Sequence, residues 1–272
     1  MSEKTYEVCS GTIHYWTNKI RSGRRTLVFL PGLTADHHLF DRQTKAFAKE
    51  FNILTWDAPG HAASRPFLLD FSMMDKAVWL HEILQKEGIR RPVLIGQSMG
   101  GYVSQCFMEK YPGEAAGFVS IDSAPLKRCY VTGAEIRALK HMEPMYRAFP
   151  WKILQKIAVD GCSVTEYGRK LMKHFIGTYT KDEYCRLAGR GMRLLADAME
   201  ADLPYMTDCP AILICGEKDQ AGSAKSYNRR WAKKEALPVY WIGDAGHNAN
   251  TDKPEEVNRI IMDFVRTLKE AP

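Results

Sequence analysis

The chain lacks most of the features that would take it out of the ordinary globular class. It has no Cys-x-x-Cys pair, and its seven cysteines (Cys9, Cys106, Cys129, Cys162, Cys185, Cys209, Cys215) are scattered and odd in number. That pattern argues against a disulfide framework or a zinc site, and no metal is expected. Nowhere do eighteen apolar residues run together, so no membrane-spanning helix and no membrane partner are expected. The segment Met1-Ser2-Glu3-Lys4-Thr5-Tyr6-Glu7 has no basic stretch followed by an apolar core, which gives a cytoplasmic location as the expectation. A formal charge of +6 comes from Lys and Arg dispersed among acids, without a basic run interleaved with aromatics, so no nucleic-acid partner is expected. Low-complexity segments, linkers and internal repeats are also missing.

What is present is an alternation. Short β-branched or aromatic runs at 5 to 10 and 12 to 17, joined near Gly11, read as an antiparallel hairpin. Buried-looking runs follow at 26 to 30, 52 to 56, 92 to 96, 117 to 122, 211 to 215 and 238 to 242. Most are continuously apolar, as parallel strands covered on both faces are. Between them, residues 38 to 50, 73 to 88, 99 to 111, 222 to 235 and 254 to 269 place apolar side chains at helical spacing. Strand-helix alternation of this kind predicts an α/β fold with a doubly wound sheet.

One interval breaks the rhythm. From 126 to 208 no strand pattern appears, only helical stretches near 132 to 148, 151 to 160, 163 to 177 and 181 to 200. Pro144, Pro150, Gly161-Cys162-Ser163, Gly177 and Pro204 divide it into several short helices. The expected organisation is a core over 1–125 and 209–272, with a helical cap inserted at 126–208.

The run Val93-Leu94-Ile95-Gly96-Gln97-Ser98-Met99-Gly100-Gly101 carries an apolar strand into Gly-x-Ser-x-Gly and on into a helical pattern. This is a nucleophile-elbow signature, in which small neighbours let a serine sit on a sharp strand-to-helix turn. A serine hydroxyl needs a base and a group that orients the base. His247, in Gly243-Asp244-Ala245-Gly246-His247-Asn248 after the last strand, is the expected base. For the acid, Cys215-Gly216-Glu217-Lys218-Asp219 leaves the preceding strand, and Asp219 is the choice, with Glu217 and Asp122 as alternatives. Oxyanion donors are expected from the backbone amides of Met99 and of Leu33 in Leu30-Pro31-Gly32-Leu33-Thr34.

Four blocks together, Phe29-Leu30-Pro31-Gly32-Leu33, Asp57-Ala58-Pro59-Gly60-His61 with Ser64, the elbow at 96 to 101, and Gly216-Glu217-Lys218-Asp219 with Gly246-His247, make the chain resemble the α/β-hydrolase fold family over essentially its whole length. The resemblance implies a mostly parallel eight-stranded sheet, the chain order Ser-Asp-His and a lid inserted after the sixth strand. Pro31 stands where many relatives have histidine. The donor there is an amide, so the change leaves the expected role intact.

Asp57 and His61 belong, by the same resemblance, to a structural turn. His37 and His38 are expected to be exposed at a helix start, facing different directions. The inserted segment is rich in large apolar residues, and Trp151, Met145, Phe149, Met172 and Met192 are named as pocket candidates. Arg186, Arg190 and Arg193 would suit an anionic substrate if they faced that pocket and a solvated helix face if they did not. The expected function is a serine hydrolase that needs no cofactor and cleaves a small or medium carboxylic ester. The alternatives are the same residues acting on another bond (carbon-carbon, amide, lactone, thioester, elimination or perhydrolysis) and a ligand receptor without turnover. A small-molecule substrate is the expected partner, and the sequence leaves oligomeric state open.

Overall fold

A computed structural model describes residues 1–222 and 224–269. Its eight-stranded sheet runs in the order β1-β2-β4-β3-β5-β6-β7-β8. β1 (Ser2–Val8) and β2 (Gly11–Thr17) form the hairpin, and β2 pairs antiparallel with β4 (Asn52–Trp56). β3 (Thr26–Leu30), β5 (Val93–Gln97), β6 (Gly117–Ile121), β7 (Ala211–Gly216) and β8 (Val239–Ile242) complete a sheet that is parallel from β4 to β8. The first strand is shifted from the expected 5 to 10. The register pairs Val8 with Gly11, so Cys9 and Ser10 are consumed by a two-residue turn and pairing extends back to Ser2.

β3 to β7 are buried at every position, as continuously apolar runs require. The two-residue period splits them between two cores. Val28, Leu30 and Leu94 pack with Leu80 of α2 (Met73–Lys86), Phe107 of α3 (Met99–Lys110) and Trp231 of α9 (Ala224–Glu235). Leu27, Phe29 and Ile95 face the other way, onto Phe47 of α1 (Asp41–Phe47) and Ile261 of α11 (Pro254–Thr267). Helices therefore cover both faces, and the loops that matter leave the carboxyl ends of β3, β5, β7 and β8.

Five α-helices lie between β6 and β7: α4 (Gly133–Lys140), α5 (Met142–Ala148), α6 (Trp151–Cys162), α7 (Glu166–Gly177) and α8 (Lys181–Glu200). Thr132, Thr165 and Thr180 accept from backbone amides at the starts of α4, α7 and α8. The expected single stretch at 132 to 148 is two helices that share His141. Pro144 lies in the first turn of α5, where its missing N–H leaves no bond unmade, so the break precedes it. Gly161 does not end α6, which runs on to Cys162. On α8, a Cβ at Gly191 would overlap Leu33, so glycine lets this helix lie directly against the loop after β3. No described helix is long and apolar enough to cross a membrane.

A Cβ at Gly100 would overlap the carbonyl oxygen of Leu30, a backbone atom that side-chain rotation cannot move. Gly100→Ala is expected to cost at least about 3 kcal/mol, because β3 and α3 must separate. Gly161 has open space around it, and the same substitution there is expected to be near neutral. Urea denaturation midpoints of the two variants measure the contrast.

Candidate active site

Ser98 occupies the turn between β5 and α3 at φ 50° and ψ −116°, a conformation an L residue rarely adopts. The turn is held from both sides. Ser98 donates its backbone N–H to Ile121 at 2.9 Å, and a Cβ at Gly96 would strike the backbone of Gly100 and Gly101. Both glycine requirements anticipated at the elbow are present.

The Ser98 hydroxyl lies 2.8 Å from His247 Nε2, and His247 Nδ1 lies 3.1 Å from Asp219 Oδ2. These three residues, 28 to 149 positions apart in the chain, form one continuous hydrogen-bonded line at the carboxyl ends of β5, β7 and β8. Asp219 is buried, and its other oxygen accepts from the Ala221 amide at 2.7 Å. Burial alone would lower the His247 pKa. The charge of Asp219, its hydrogen bond and the more distant Asp122 outweigh burial and raise it above 6.5.

The two alternative acids have other places. Asp122 is buried, accepting from the Gly216 amide at 2.6 Å and the Ala249 amide at 2.9 Å. It thus ties the end of β6 to the loops that carry Asp219 and His247. Burial, followed by the charge of Asp219, pushes its pKa well up. Glu217 is exposed, and its backbone oxygen accepts from Lys225.

Two tethers were not foreseen. Gln97, inside the elbow motif and buried, donates to the His247 carbonyl at 2.8 Å and to Asn248 Oδ1 at 3.0 Å, locking the serine turn to the histidine loop. Asp252, at the end of α10 (Ala249–Asp252), accepts from the Gly246 amide at 2.8 Å and from Val164 and Thr165 beside α7. The sequence signal for Gln97 was its place inside the elbow motif, next to Ser98. Asp252 gave none.

A cavity of about 430 Å3 opens onto Ser98 and His247. Leu33 and Met99 line it, beside Ser98. Of the five pocket candidates only Met192 reaches it. Met145 and Phe149 face outward, 44% and 36% exposed, because α5 turns Met142 and Tyr146 inward instead. Trp151 packs against Tyr184, with ring centroids 5.4 Å apart, and Met172 is buried with the core on the α1 and α11 side. The inner wall is built from Met142 and Tyr146 of α5 and from Met192, Leu195 and Met199 of α8. Tyr102, Glu135 and Tyr227, which the sequence did not single out, also line it.

The Asp57 segment is structural in its bonding. Asp57 accepts from the backbone and ring of His37 and from the Ala63 amide, while His61 Nδ1 lies 3.0 Å from the Pro59 carbonyl. His37 is not exposed as expected: its ring stacks on Trp16 at 3.5 Å and lies 3.9 Å from the His38 ring. One ligand-type atom each from Asp36, His37 and His38 falls within a 4.8 Å group. Asp36 and Asp57 already engage both imidazoles by hydrogen bonds, which accounts for the cluster.

The strand-turn-helix at Ser98, the helices between β6 and β7 and the strand order together are those of an α/β hydrolase fold. The sequence pattern described as "Alpha/beta hydrolase family" matches residues 27–260, and the chain belongs to that family of enzymes. It is 23% identical over 266 residues to the uncharacterized hydrolase YugF of Bacillus subtilis (strain 168), covering 93% of this chain and 94% of that one. To (E)-2-((N-methylformamido)methylene)succinate hydrolase of Acinetobacter baylyi it is 22% identical, covering 98% and 99%. A thermophilic esterase from Thermogutta terrifontis superposes with a TM-score of 0.71 at 19% identity, over 98% of this chain and 99% of that one.

Proposed function

We propose that the protein is a serine hydrolase that cleaves a small or medium carboxylic ester through an acyl-enzyme. The observation that carries this reading is the hydrogen-bonded line from Ser98 through His247 to Asp219 at a strained elbow. An ionised carboxylate only accepts, so Asp219 fixes the His247 proton on Nδ1 and leaves Nε2 to take the Ser98 proton. The hydroxyl oxygen then attacks the ester carbonyl and the alcohol leaves with the proton from Nε2. Water, activated by the same nitrogen, releases the acid. The amides of Leu33 and Met99 hold the oxyanion. Met99 is the first residue of α3, a position whose N–H has no partner within the helix. On this reading 126–208 is a cap over a core formed by 1–125 and 209–272.

The test is labelling of Ser98 by a fluorophosphonate together with turnover of short p-nitrophenyl esters. A protein that neither labels nor turns over rejects the reading. A pH profile adds an independent check. Only neutral His247 accepts a proton, and its folded pKa is raised, so kcat/KM is expected to climb with pH along a limb centred above 6.5. A limb centred below 6.5 contradicts the Asp219 pairing.

The second reading keeps the residues and changes the bond. It is favoured by the Acinetobacter relative, whose name describes hydrolysis of a succinate derivative. A panel of esters, lactones, thioesters and amides separates the two, and strong turnover of another class without ester activity selects the second.

A further inference from the structure

Apart from His247, the ionisable acid and base side chains that line the cavity above Ser98 are of one sign. Among its described lining residues there is no Lys or Arg, while Asp122 and Glu135 are both present. This holds although the whole chain carries a formal charge of +6. The basic residues of α8 are turned elsewhere. Arg190 donates to the carbonyls of Leu69 and Phe71 at 2.8 and 2.7 Å, Arg193 donates to the carbonyl of Lys140 and Arg186 pairs with Asp182. None of the three supplies a counter-charge for an anionic substrate.

Glu135 is the group whose charge persists. Its Oε2 accepts from the Thr132 amide and hydroxyl at 2.7 Å each, and its Oε1 accepts from the Tyr227 hydroxyl. The Tyr227 bond first, then the Thr132 amide, hold the carboxyl below the usual carboxylate range. Cations nearby are Arg230, which lies 6.0 Å from the Tyr227 ring centroid and donates to the Tyr130 carbonyl, and Arg128 and Arg137, whose guanidinium groups flank Gly133. Arg230 does not line the cavity. A carboxylate oxygen offers more than one acceptor direction, so Oε1 can take a further donor while holding Tyr227. The side chains of Leu139, Met142, Met192, Leu195 and Met199 offer no hydrogen-bonding group beyond thioether sulfur, and the hydroxyls of Tyr102 and Tyr146 add polar groups to the wall without adding charge.

We propose that Glu135, steadied by Tyr227, forms a subsite for a cationic hydrogen-bond donor, so that the preferred ester carries an ammonium group remote from its scissile carbonyl. Esters bearing a carboxylate there are disfavoured by like-charge repulsion. The inference rests on the serine-hydrolase reading, and it narrows the substrate class.

Three fluorophosphonates of equal chain length, ending in ammonium, methyl or carboxylate, test it through their rates of Ser98 labelling. At low ionic strength the ammonium probe is expected to react roughly tenfold faster than the carboxylate probe, with the methyl probe between and the ratio shrinking as salt is added. Glu135→Gln, which keeps an acceptor for the Thr132 cap, is expected to bring the ratio to within about twofold. Tyr227→Phe leaves the charge and is expected to keep the order. Equal rates in the native protein, the reverse order, or a ratio unchanged in Glu135→Gln overturns the subsite alone. Failure of all three probes to label Ser98 overturns the serine-hydrolase reading, and the subsite falls with it.

Discussion

Ser98→Ala is expected to lower kcat for p-nitrophenyl acetate by about 10^4-fold or more, with the fold unchanged. The loss follows from chemistry. Alanine removes the only oxygen within hydrogen-bond reach of His247 Nε2 among the described side chains, leaving water to attack without a positioned nucleophile. The fold persists because what holds the turn is backbone. The Ser98 amide still bonds the Ile121 carbonyl, and Gly96 and Gly100 still allow α3 to lie close against β5 and β3 respectively. The denaturation midpoint is therefore expected to move by less than about 1 kcal/mol equivalent. Turnover within tenfold of the parent in a folded Ser98→Ala protein contradicts the assignment of Ser98 as nucleophile.

The parts legible in the sequence were those set by local chemistry. The elbow could be read because a buried strand, two close-packed glycines and a helix start occur within nine residues. The sheet could be read because β3 to β7 are apolar at nearly every position. The wall of the cavity could not. On α5 and just after it the residues Met142, Met145, Tyr146 and Phe149 are similarly large and apolar, and only the way α5 lies on α8 turns the first and third inward. That orientation depends on Gly189, where a Cβ would overlap Glu143, a contact 46 positions away that no local pattern encodes. Glu135 was hidden for a different reason. It reads as the third helical residue of a capping box, which it is, and the same carboxylate also faces the cavity. The three candidate acids were separated only by where their loops lie, since each is an acidic residue at or near the carboxyl end of a strand.

That separation gives the second large effect. Asp219→Asn is expected to reduce kcat by about 10^4-fold, because an amide can present its NH2 to Nδ1 and stabilise the wrong imidazole tautomer. Stability should change little, since the Ala221 amide still finds an oxygen. Asp122→Asn is expected to show the opposite pattern. Its two oxygens each accept a backbone amide, from Gly216 and from Ala249, and asparagine has one oxygen for two donors. One buried amide loses its partner, which costs about 1–3 kcal/mol of folding stability, and turnover falls only as far as the two loops shift. Measuring kcat and the urea midpoint for both variants separates the roles. Were Asp122→Asn to lose as much turnover as Asp219→Asn with an unchanged midpoint, the acid that serves His247 would be Asp122, and the 3.1 Å contact from Asp219 would have only a positioning role.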